Sequence, residues 1–332
     1  MKGVGKTMST KKLVLELLER ERGKSISGEH LAEQLNVSRN TIWKAIKELE
    51  KDGYKITAAT NKGYCFCESN DILSVQGLFP FLSAKENFNN IYVYDSLAST
   101  NKTAKEMAIA GAKQGTVIIA DHQTAGKGRY GRDFFSPQSS GIYMSFILRP
   151  TKLSFDSPTA ITAFAAVSVC QAIETLTSKS PQIKWVNDIF LDEKKICGIL
   201  TEAVTDFESG TIQWIVVGIG INFATPTTGF PEGLKEIAGS IFSADHPTIT
   251  RNHLAAEVIN RIMACENQIE DKEMFSEYRK RLMMLGEKIT VTGVNESFEA
   301  IAVDIDDIGR LEVRKSTGEM LILSAGEVSI IK

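Results

Sequence analysis

Residues 116–148 place the tightest constraint on how this chain can fold. Thr116-Val-Ile-Ile-Ala120 is a β-branched apolar run of strand length, and Gln123-Thr-Ala-Gly-Lys-Gly-Arg-Tyr-Gly-Arg132 follows almost at once. The glycines at 126, 128 and 131 have the spacing of a dinucleotide-binding fingerprint. A working fingerprint opens a helix, whereas this segment runs through Ser136-Pro137 into a second strand, Gly141-Ile-Tyr-Met-Ser-Phe-Ile-Leu148, so the match is weak. What is left is strand, loop, strand, with Lys127, Arg129 and Arg132 on the loop. Glycine lets backbone N–H groups approach an anion, and guanidinium groups supply charge-assisted, often bidentate bonds to its oxygens. The loop therefore points to phosphate and should move when empty; the alternative is an exposed basic loop without a ligand.

The surrounding region, from Ile91 to about Gln268, alternates strand-like and helical runs, as in an α/β or α+β domain. Lys184-Trp-Val-Asn-Asp188 precedes a strand, Ile189-Phe-Leu191, and Lys194-Lys195 leads after a charged turn into Ile196-Cys-Gly-Ile-Leu-Thr-Glu202. Polar residues at the ends of core strands are where sites are built, but a single lysine there is usually solvated. These residues carry chemistry only if they meet the glycine loop.

The amino-terminal region has a different character. Residues 1–70 hold 13 Lys and Arg against nine Asp and Glu, so the rest of the chain carries −7 of the overall net charge of −3. A helix over Lys11–Arg22, with Leu13, Val14, Leu17 and Leu18 on one face, precedes a short helix over Gly28–Leu35. Asn36-Val37 is a turn, Ser38 an N-cap, and Ile42, Ile46 and Leu49 line one face of a third helix that stops at Asp52-Gly53. Its other face offers Arg39, Asn40, Thr41, Lys44 and Lys47, and strands Tyr54–Ile56 and Tyr64–Phe66 flank a basic turn at Asn61-Lys62-Gly63. This is the order of a winged helix-turn-helix, in which Arg39 and Asn40 would read base edges and Lys44 and Lys47 would hold phosphates; the alternative is a three-helix packing domain.

Other features exclude classes. Gly5-Lys6-Thr7 imitates the end of a P-loop, but its first glycine would precede Met1, and a second methionine at Met8 suggests that residues 1–7 are an upstream extension. No apolar run approaches the roughly 20 residues that cross a bilayer, and residues 1–10 lack a signal-peptide core, so a cytoplasmic protein without a membrane partner is expected. Cys65, Cys67, Cys170, Cys197 and Cys265 lack paired ligand spacing, so reduced thiols and no structural metal are expected.

Ser99-Thr-Asn101, Gln123-Thr-Ala-Gly-Lys-Gly-Arg129, Lys184-Trp-Val-Asn-Asp188, Lys195-Ile-Cys-Gly198 and Gly218-Ile-Gly-Ile-Asn222 resemble, in order and spacing, the biotin protein ligase family. The resemblance spans nearly the whole chain and is to the members that are both ligase and biotin operon repressor. It implies an α+β chain: a winged helix-turn-helix over 1–72, a mixed α/β, class II synthetase-like catalytic domain over 73–284, and an SH3-like β-barrel over 285–332. It implies ATP with Mg²⁺, and two steps: formation of biotinoyl-5′-AMP, then transfer of biotin to a lysine of the biotin carboxyl carrier protein of acetyl-CoA carboxylase.

The same resemblance implies residue roles. Ser99, Thr100, Asn101, Gln123 and Gly198 would line the biotin end, where hydroxyls and amides pair with a buried ureido ring. Lys127, Gly128 and Arg129 would wrap the anhydride, reaching both biotin and phosphate. Lys195 would hold the biotin carboxylate and stabilise charge during catalysis, with Arg129 and Asp188 as the other catalytic residues. Asp188 would either orient the attacking lysine or help to hold Mg²⁺. Gly126, Arg132, Phe134, Lys184, Asn187 and Asn222 would face the nucleotide. Lys127 stands where many relatives have arginine, and Phe134 where some have tryptophan. Ser38, Arg39, Asn40, Thr41, Lys44, Lys47 and Lys62 would bind operator DNA. Alternative activities are a non-catalytic biotin-sensing repressor and a lipoate-protein ligase.

Towards the carboxy terminus, an amphipathic Lys272–Leu285 segment precedes short strands at Lys288–Thr292, Phe298–Val303, Leu311–Arg314, Met320–Leu323 and Glu327–Ile331. They suggest a small barrel, either a stabilising cap or a contact for ATP or carrier. Ile212–Val217 is so apolar that at a sheet edge it would invite pairing, and the resemblance makes it the surface of an adenylate-dependent homodimer.

Overall fold

The computed structural model describes residues 9–59, 63–83, 90–149, 158–205, 212–244, 246–264, 272–293 and 297–331. They form two compact units, Met1–Phe88 with Ile249–Ala256, and Asn89–Thr248 with Glu257–Lys332.

In the first unit, helices α1 (Thr10–Arg20), α2 (Gly28–Leu35) and α3 (Arg39–Lys51) are each opened by a serine that accepts a backbone N–H: Ser9, Ser27 and Ser38. Each such cap is worth about 1 kcal/mol. Asn36 closes α2 in the left-handed region, φ 51°, and turns the chain into α3 within two residues. The core takes Leu31 from α2 and Ile42, Ile46 and Leu49 from α3, as expected. On α1 the buried face is Val14, Leu15 and Leu18, while Leu13 and Leu17 are only half-buried, so the stripe is rotated from the expected one. Strands β1 (Ser25–Ile26), β2 (Ile56–Ala59) and β3 (Gly63–Phe66) form an antiparallel sheet in the order β1-β3-β2. The expected strand over Tyr54–Ile56 starts only at Ile56, because Tyr54 is buried against Phe66 in the core. Residues 1–7 and the hairpin tip with Lys62 lie outside the described residues. A short helix, α4 (Val75–Leu78), ends this run.

Buried charge sits in the same unit. Arg251 is 2% exposed and binds the backbone and carboxylate of Asp71, and Arg22 pairs with the buried Glu19 at 2.5 Å. Burial raises the carboxyls of Glu19 and Asp71 above the usual range, against the pull of Arg22 and Arg251 respectively.

The second unit is built on a seven-stranded sheet in the order β4-β5-β6-β10-β9-β8-β7. Its strands are β4 (Ile91–Tyr94), β5 (Thr116–Ala120), β6 (Gly141–Leu148), β7 (Gln182–Lys184), β8 (Asp188–Leu191), β9 (Lys194–Thr205) and β10 (Ile212–Asn222). Only β4 and β5 run parallel. Strand β10 does not lie at a sheet edge: from Ile215 to Ile221 it is paired on one side with β6 and on the other with β9. Trp214, Ile215, Val216 and Val217 are all buried, which requires cover on both faces; a continuous apolar run marks a central strand here rather than an exposed margin.

Helix α5 (Thr100–Ile109) lies against β6 and β10, and α6 (Pro158–Leu176) against β9. The expectation that no segment nears bilayer length fails at α6, which spans 19 residues and is long and apolar enough to cross a membrane, although most of it is buried within the protein. Thr162 and Ser168 break the run in the sequence yet are themselves buried. Helix α7 (Arg251–Met263) leads to α8 (Lys272–Arg281), which ends four residues before the expected Leu285.

Strands β11 (Lys288–Thr292), β12 (Ser297–Ile305), β13 (Leu311–Lys315), β14 (Met320–Leu323) and β15 (Glu327–Ile330) form an antiparallel sheet in the order β14-β13-β12-β11-β15. The indole N–H of Trp185 donates to Gly309 O at 3.0 Å, and Arg279 pairs with Asp304 at 2.5 Å, tying this sheet to the turn between β7 and β8 and to α8.

Candidate active site

Three glycines in adjacent central strands make the floor of a cavity of about 270 Å³. Gly198 on β9 faces Gly220 on β10, and Gly218 lies two residues before it. A methyl group at Gly218 would collide with the Asn101 carboxamide, and one at Gly220 would lie 2.5 Å from the Phe134 ring. Absent side chains thus let α5 and the glycine loop come down onto the sheet.

At one end the polar groups converge. Ser99 caps α5, so the Thr100 backbone N–H is free to donate to Gln123 Oε1 at 2.8 Å. Gln123 in turn donates to Ser136 Oγ at 3.0 Å, and Ser145, fully buried on β6, touches both Thr100 and Asn101. Asn101 donates to Glu202, whose other carboxylate oxygen pairs with Lys105 at 2.9 Å.

The charged end is set by a hairpin. Asp192 and Glu193 both have positive φ, 49° and 61°, and Leu191 pairs with Lys194, the pattern of a tight two-residue turn between β8 and β9. The register then shifts: Phe190 faces Lys195, whereas Ile189 faces Cys197, leaving Ile196 as a bulge. Three residues apart, Lys195 and Gly198 would point to opposite faces of a regular strand; the bulge brings both to the face of Asp188. Lys195 Nζ lies 2.7 Å from Asp188 Oδ1.

The glycine loop closes over this end without forming a regular helix; Arg129–Gly131 is a single 3-10 turn. Gly128 N–H donates to Arg132 O at 2.8 Å, and Phe134 N–H to Gly126 O at 2.9 Å. Arg129 donates to Asn187 Oδ1 at 3.1 Å and to Gly326 O at 3.0 Å. Arg132 makes a bidentate pair with Glu327 at 2.8 and 2.7 Å, and these bonds hold the Glu327 carboxyl below the usual range. Lys127 pairs with Asp133 at 2.6 Å. Phosphate oxygens would compete for the cations that make these bonds.

In the first unit, the outward face of α3 carries Arg39, Asn40, Lys44 and Lys47, all exposed. Ser38 and Thr41 are committed to the helix start: Ser38 Oγ accepts Thr41 N–H at 3.1 Å and shares a bond with Thr41 Oγ1 at 2.9 Å. Lys47 pairs with Glu50 at 2.6 Å. Trp43 was not anticipated; it is 51% exposed beside these cations.

Residues 93–222 match the model of the biotin/lipoate A/B protein ligase family, residues 10–65 an HTH domain, and residues 284–330 the biotin protein ligase C-terminal domain. The chain is 34% identical over 325 residues to the bifunctional ligase/repressor BirA of Bacillus subtilis, covering 95% of this chain and 97% of that one. The chain belongs to the biotin protein ligase family. It is 28% identical over 323 residues to the bifunctional ligase/repressor BirA of Escherichia coli, covering 93% of this chain and 94% of that one. Among solved structures, the biotin protein ligase from Aquifex aeolicus in complex with biotin and ATP is similar to it at a TM-score of 0.61 and 25% identity, over 73% of this chain and 99% of that one.

Of the residues anticipated for a ligase of this family, Ser99, Thr100, Asn101, Gln123, Lys127, Gly128, Arg129, Arg132, Phe134, Lys184, Asn187, Asp188, Lys195, Gly198 and Asn222 all line the one cavity. Gly126 does not. A Cβ there would meet Phe134 O and Ser136 Oγ at 2.7 Å, so this glycine serves the loop's own close packing. Asn222 spends its amide N–H groups on the carbonyls of Gly239, at 2.8 Å, and Lys195, at 3.4 Å. Sequence reasoning missed Phe230, Ile237 and Glu327, which reach the cavity from distant segments without a local motif. Cys197 also lines it, with its thiol pushed well up by burial; Cys65, Cys67 and Cys170 are likewise free, and Cys265 lies outside the described residues.

Proposed function

We propose that the chain is an ATP-dependent biotin protein ligase that also represses transcription through its amino-terminal helix-turn-helix. The observation that carries this reading is the cavity itself: a hydroxyl-and-amide end around Thr100 and Gln123, and a cationic end lined by Lys195 and Arg129. The polar end suits a ureido ring. A dithiolane ring offers no hydrogen bonds, which favours biotin over lipoate.

In the first step a biotin carboxylate oxygen bonds to the α-phosphorus of ATP as the bond to pyrophosphate breaks. Lys195 holds the carboxylate, and Arg129 with the loop N–H groups balances charge on the phosphoryl oxygens, which is preorganised electrostatics rather than covalent participation by the protein. In the second step the ε-amine of a carrier lysine attacks the acyl carbon and AMP leaves. Asp188, beside Lys195, either orients that amine or holds the metal that accompanies ATP. Phe134 and Asn222 lie against the adenylate, and the carboxy-terminal sheet, which we read as SH3-like, contributes Glu327 to the rim.

Among the described residues no group of three His, Cys, Asp or Glu side chains could cage a metal. The donor set fits Mg²⁺ of the kind that arrives on phosphates, keeps water ligands and needs only one or two carboxylates. Asp188 would hold it, since its Oδ1 is buried and has no hydrogen bond besides the Lys195 ion pair. The ion would supply neutralisation of the triphosphate charge.

The domains divide near residues 72 and 284, and the protein works in the cytoplasm, with its carrier and operator. Arg39, Asn40, Lys44, Lys47 and Lys62 contact DNA, and a homodimer formed with the adenylate would match a two-fold operator. Sedimentation with and without biotin plus Mg·ATP tests the dimer, and unchanged self-association argues against it. The ligase reading is tested by incubation with biotin, Mg·ATP and the biotin carrier domain of an acetyl-CoA carboxylase. A carrier mass increased by one biotinoyl group is expected; an unmodified carrier, or lipoyl transfer in its place, overturns the reading.

A further inference from the structure

We infer that Trp43 is a specificity-determining residue of the DNA-reading helix: its indole packs on a thymine methyl group in the major groove. The inference rests on the reading of this chain as a repressor and deepens it, adding an apolar contact to a helix face otherwise lined with polar groups.

Among the described residues of the first unit, Trp43 is the one large apolar side chain left exposed, at 51%. The inward face of α3 is complete without it: Ile42, Ala45, Ile46 and Leu49 are each buried in the core. On a helix of 3.6 residues per turn, Trp43 instead shares a row with Arg39 and Asn40, four and three residues before it, and with Lys47, four residues after it. Those three and Lys44 are exposed as well. The indole therefore stands in the middle of the polar and cationic stripe. Tryptophan in such a place gains most when a partner removes it from water, which is why it anchors interfaces so often.

The cations around it decide what that partner is. An apolar protein surface laid over Trp43 would strip water from Arg39, Lys44 and Lys47 and give them nothing in exchange. Duplex DNA gives them phosphates and still has an apolar group to offer between the strands, since the thymine C5 methyl projects into the major groove. Trp43 is the fifth residue of α3, within the leading end that a helix-turn-helix inserts there. Along the helix it lies about 4.5 Å beyond Asn40, and base pairs are spaced by about 3.4 Å. The usual partner of an asparagine amide is adenine. The element read is thus an adenine for Asn40 with a thymine about one base pair further along.

The test uses the full chain with biotin and Mg·ATP. Wild type first selects a duplex from a random DNA library. The selected duplex is then remade with deoxyuridine at one thymine at a time, which removes a methyl and leaves the pairing intact. Affinities are measured by fluorescence anisotropy for wild type, Trp43→Ala, Trp43→Phe and Lys44→Ala over a range of salt concentrations. Burial of one methyl is worth about fourfold in affinity, so wild type should lose about that much at one thymine. Trp43→Ala should weaken the all-thymine duplex roughly tenfold and be indifferent to that same substitution, and Trp43→Phe should retain part of the discrimination. The dependence of affinity on salt should be unchanged in Trp43→Ala, whereas Lys44→Ala, which removes a phosphate contact, should lower its slope by about one.

A Trp43→Ala protein that binds the all-thymine duplex like wild type, or keeps every methyl penalty, overturns the inference and leaves the repressor reading intact. Loss of self-association on sedimentation with DNA affinity retained would likewise overturn it, by assigning Trp43 to a protein contact. Wild type that enriches no sequence overturns both.

Discussion

Lys195 shows how a residue's chemistry depends on where a strand bulges. Its ammonium reaches the cavity because Ile196 is an extra residue in β9, and it lies 2.7 Å from the carboxylate that would share its charge. Lys195→Ala removes the group that holds the substrate carboxylate and leaves Asp188 uncompensated. Biotinoyl-AMP formation should fall by about 10²–10³ in kcat, and near-normal pyrophosphate release would contradict the role. Gly218→Ala probes the floor: its methyl would displace Asn101, so biotin binding should be lost, with about 1–3 kcal/mol of stability. A variant that binds biotin normally would show that the close approach is unimportant. The glycine loop was legible as a phosphate candidate because glycine with Lys and Arg announces that chemistry over a short span, whereas the roles of Ser99, Thr100, Asn101 and Gln123 came only from the family resemblance. At Gly126 the sequence could not show that a side chain would meet the loop's own Phe134 and Ser136. Glu327 could not be read at all, since its meeting with Arg132 spans 195 positions.

Whole elements followed from periodicity wherever one face is buried. Strands β5, β6, β11 and β14 and helix α2 lie at their expected residues, because turn residues and caps fix their ends. Strand β10 and helix α6 were harder for one physical reason: each is apolar almost all round, and such a run does not reveal what covers it. The glycine loop behaves as an element of its own. Arg129 ties it to Asn187 on the central sheet side and to Gly326 before β15, so loss of this side chain unfastens the loop from both anchors. Arg129→Gly should let biotinoyl-AMP escape, and released adenylate should label nearby lysines of bystander proteins. Labelling still confined to the carrier domain would show that the loop is no lid.

Across the molecule, the two units answer acid differently. Arg132 holds Glu327 below the usual range, and in Asp306 the penalty of burial is outweighed by bonds from Arg310 and Ile308, so that carboxyl is also lowered. A lowered folded value gives stability that is present above the ordinary carboxylate range and lost as pH falls through it towards the folded value. Glu19 and Asp71 have the opposite sign: their raised values mean that stability is gained as pH falls through the folded value towards the ordinary range. Hydrogen exchange followed from neutral pH into this range should therefore show β11–β15 losing protection ahead of α1–α3. The reverse order would mean that other groups govern the acid response. The most direct test of the central claim, that one cavity holds the vitamin head among hydroxyls and amides and the phosphate under the glycine loop, is a crystal structure grown with biotin and Mg·ATP. Ureido atoms within hydrogen-bond distance of Thr100 and Gln123, with phosphate oxygens at Arg129, are predicted. Density for biotin or nucleotide elsewhere on the chain, with that cavity empty, would contradict the account.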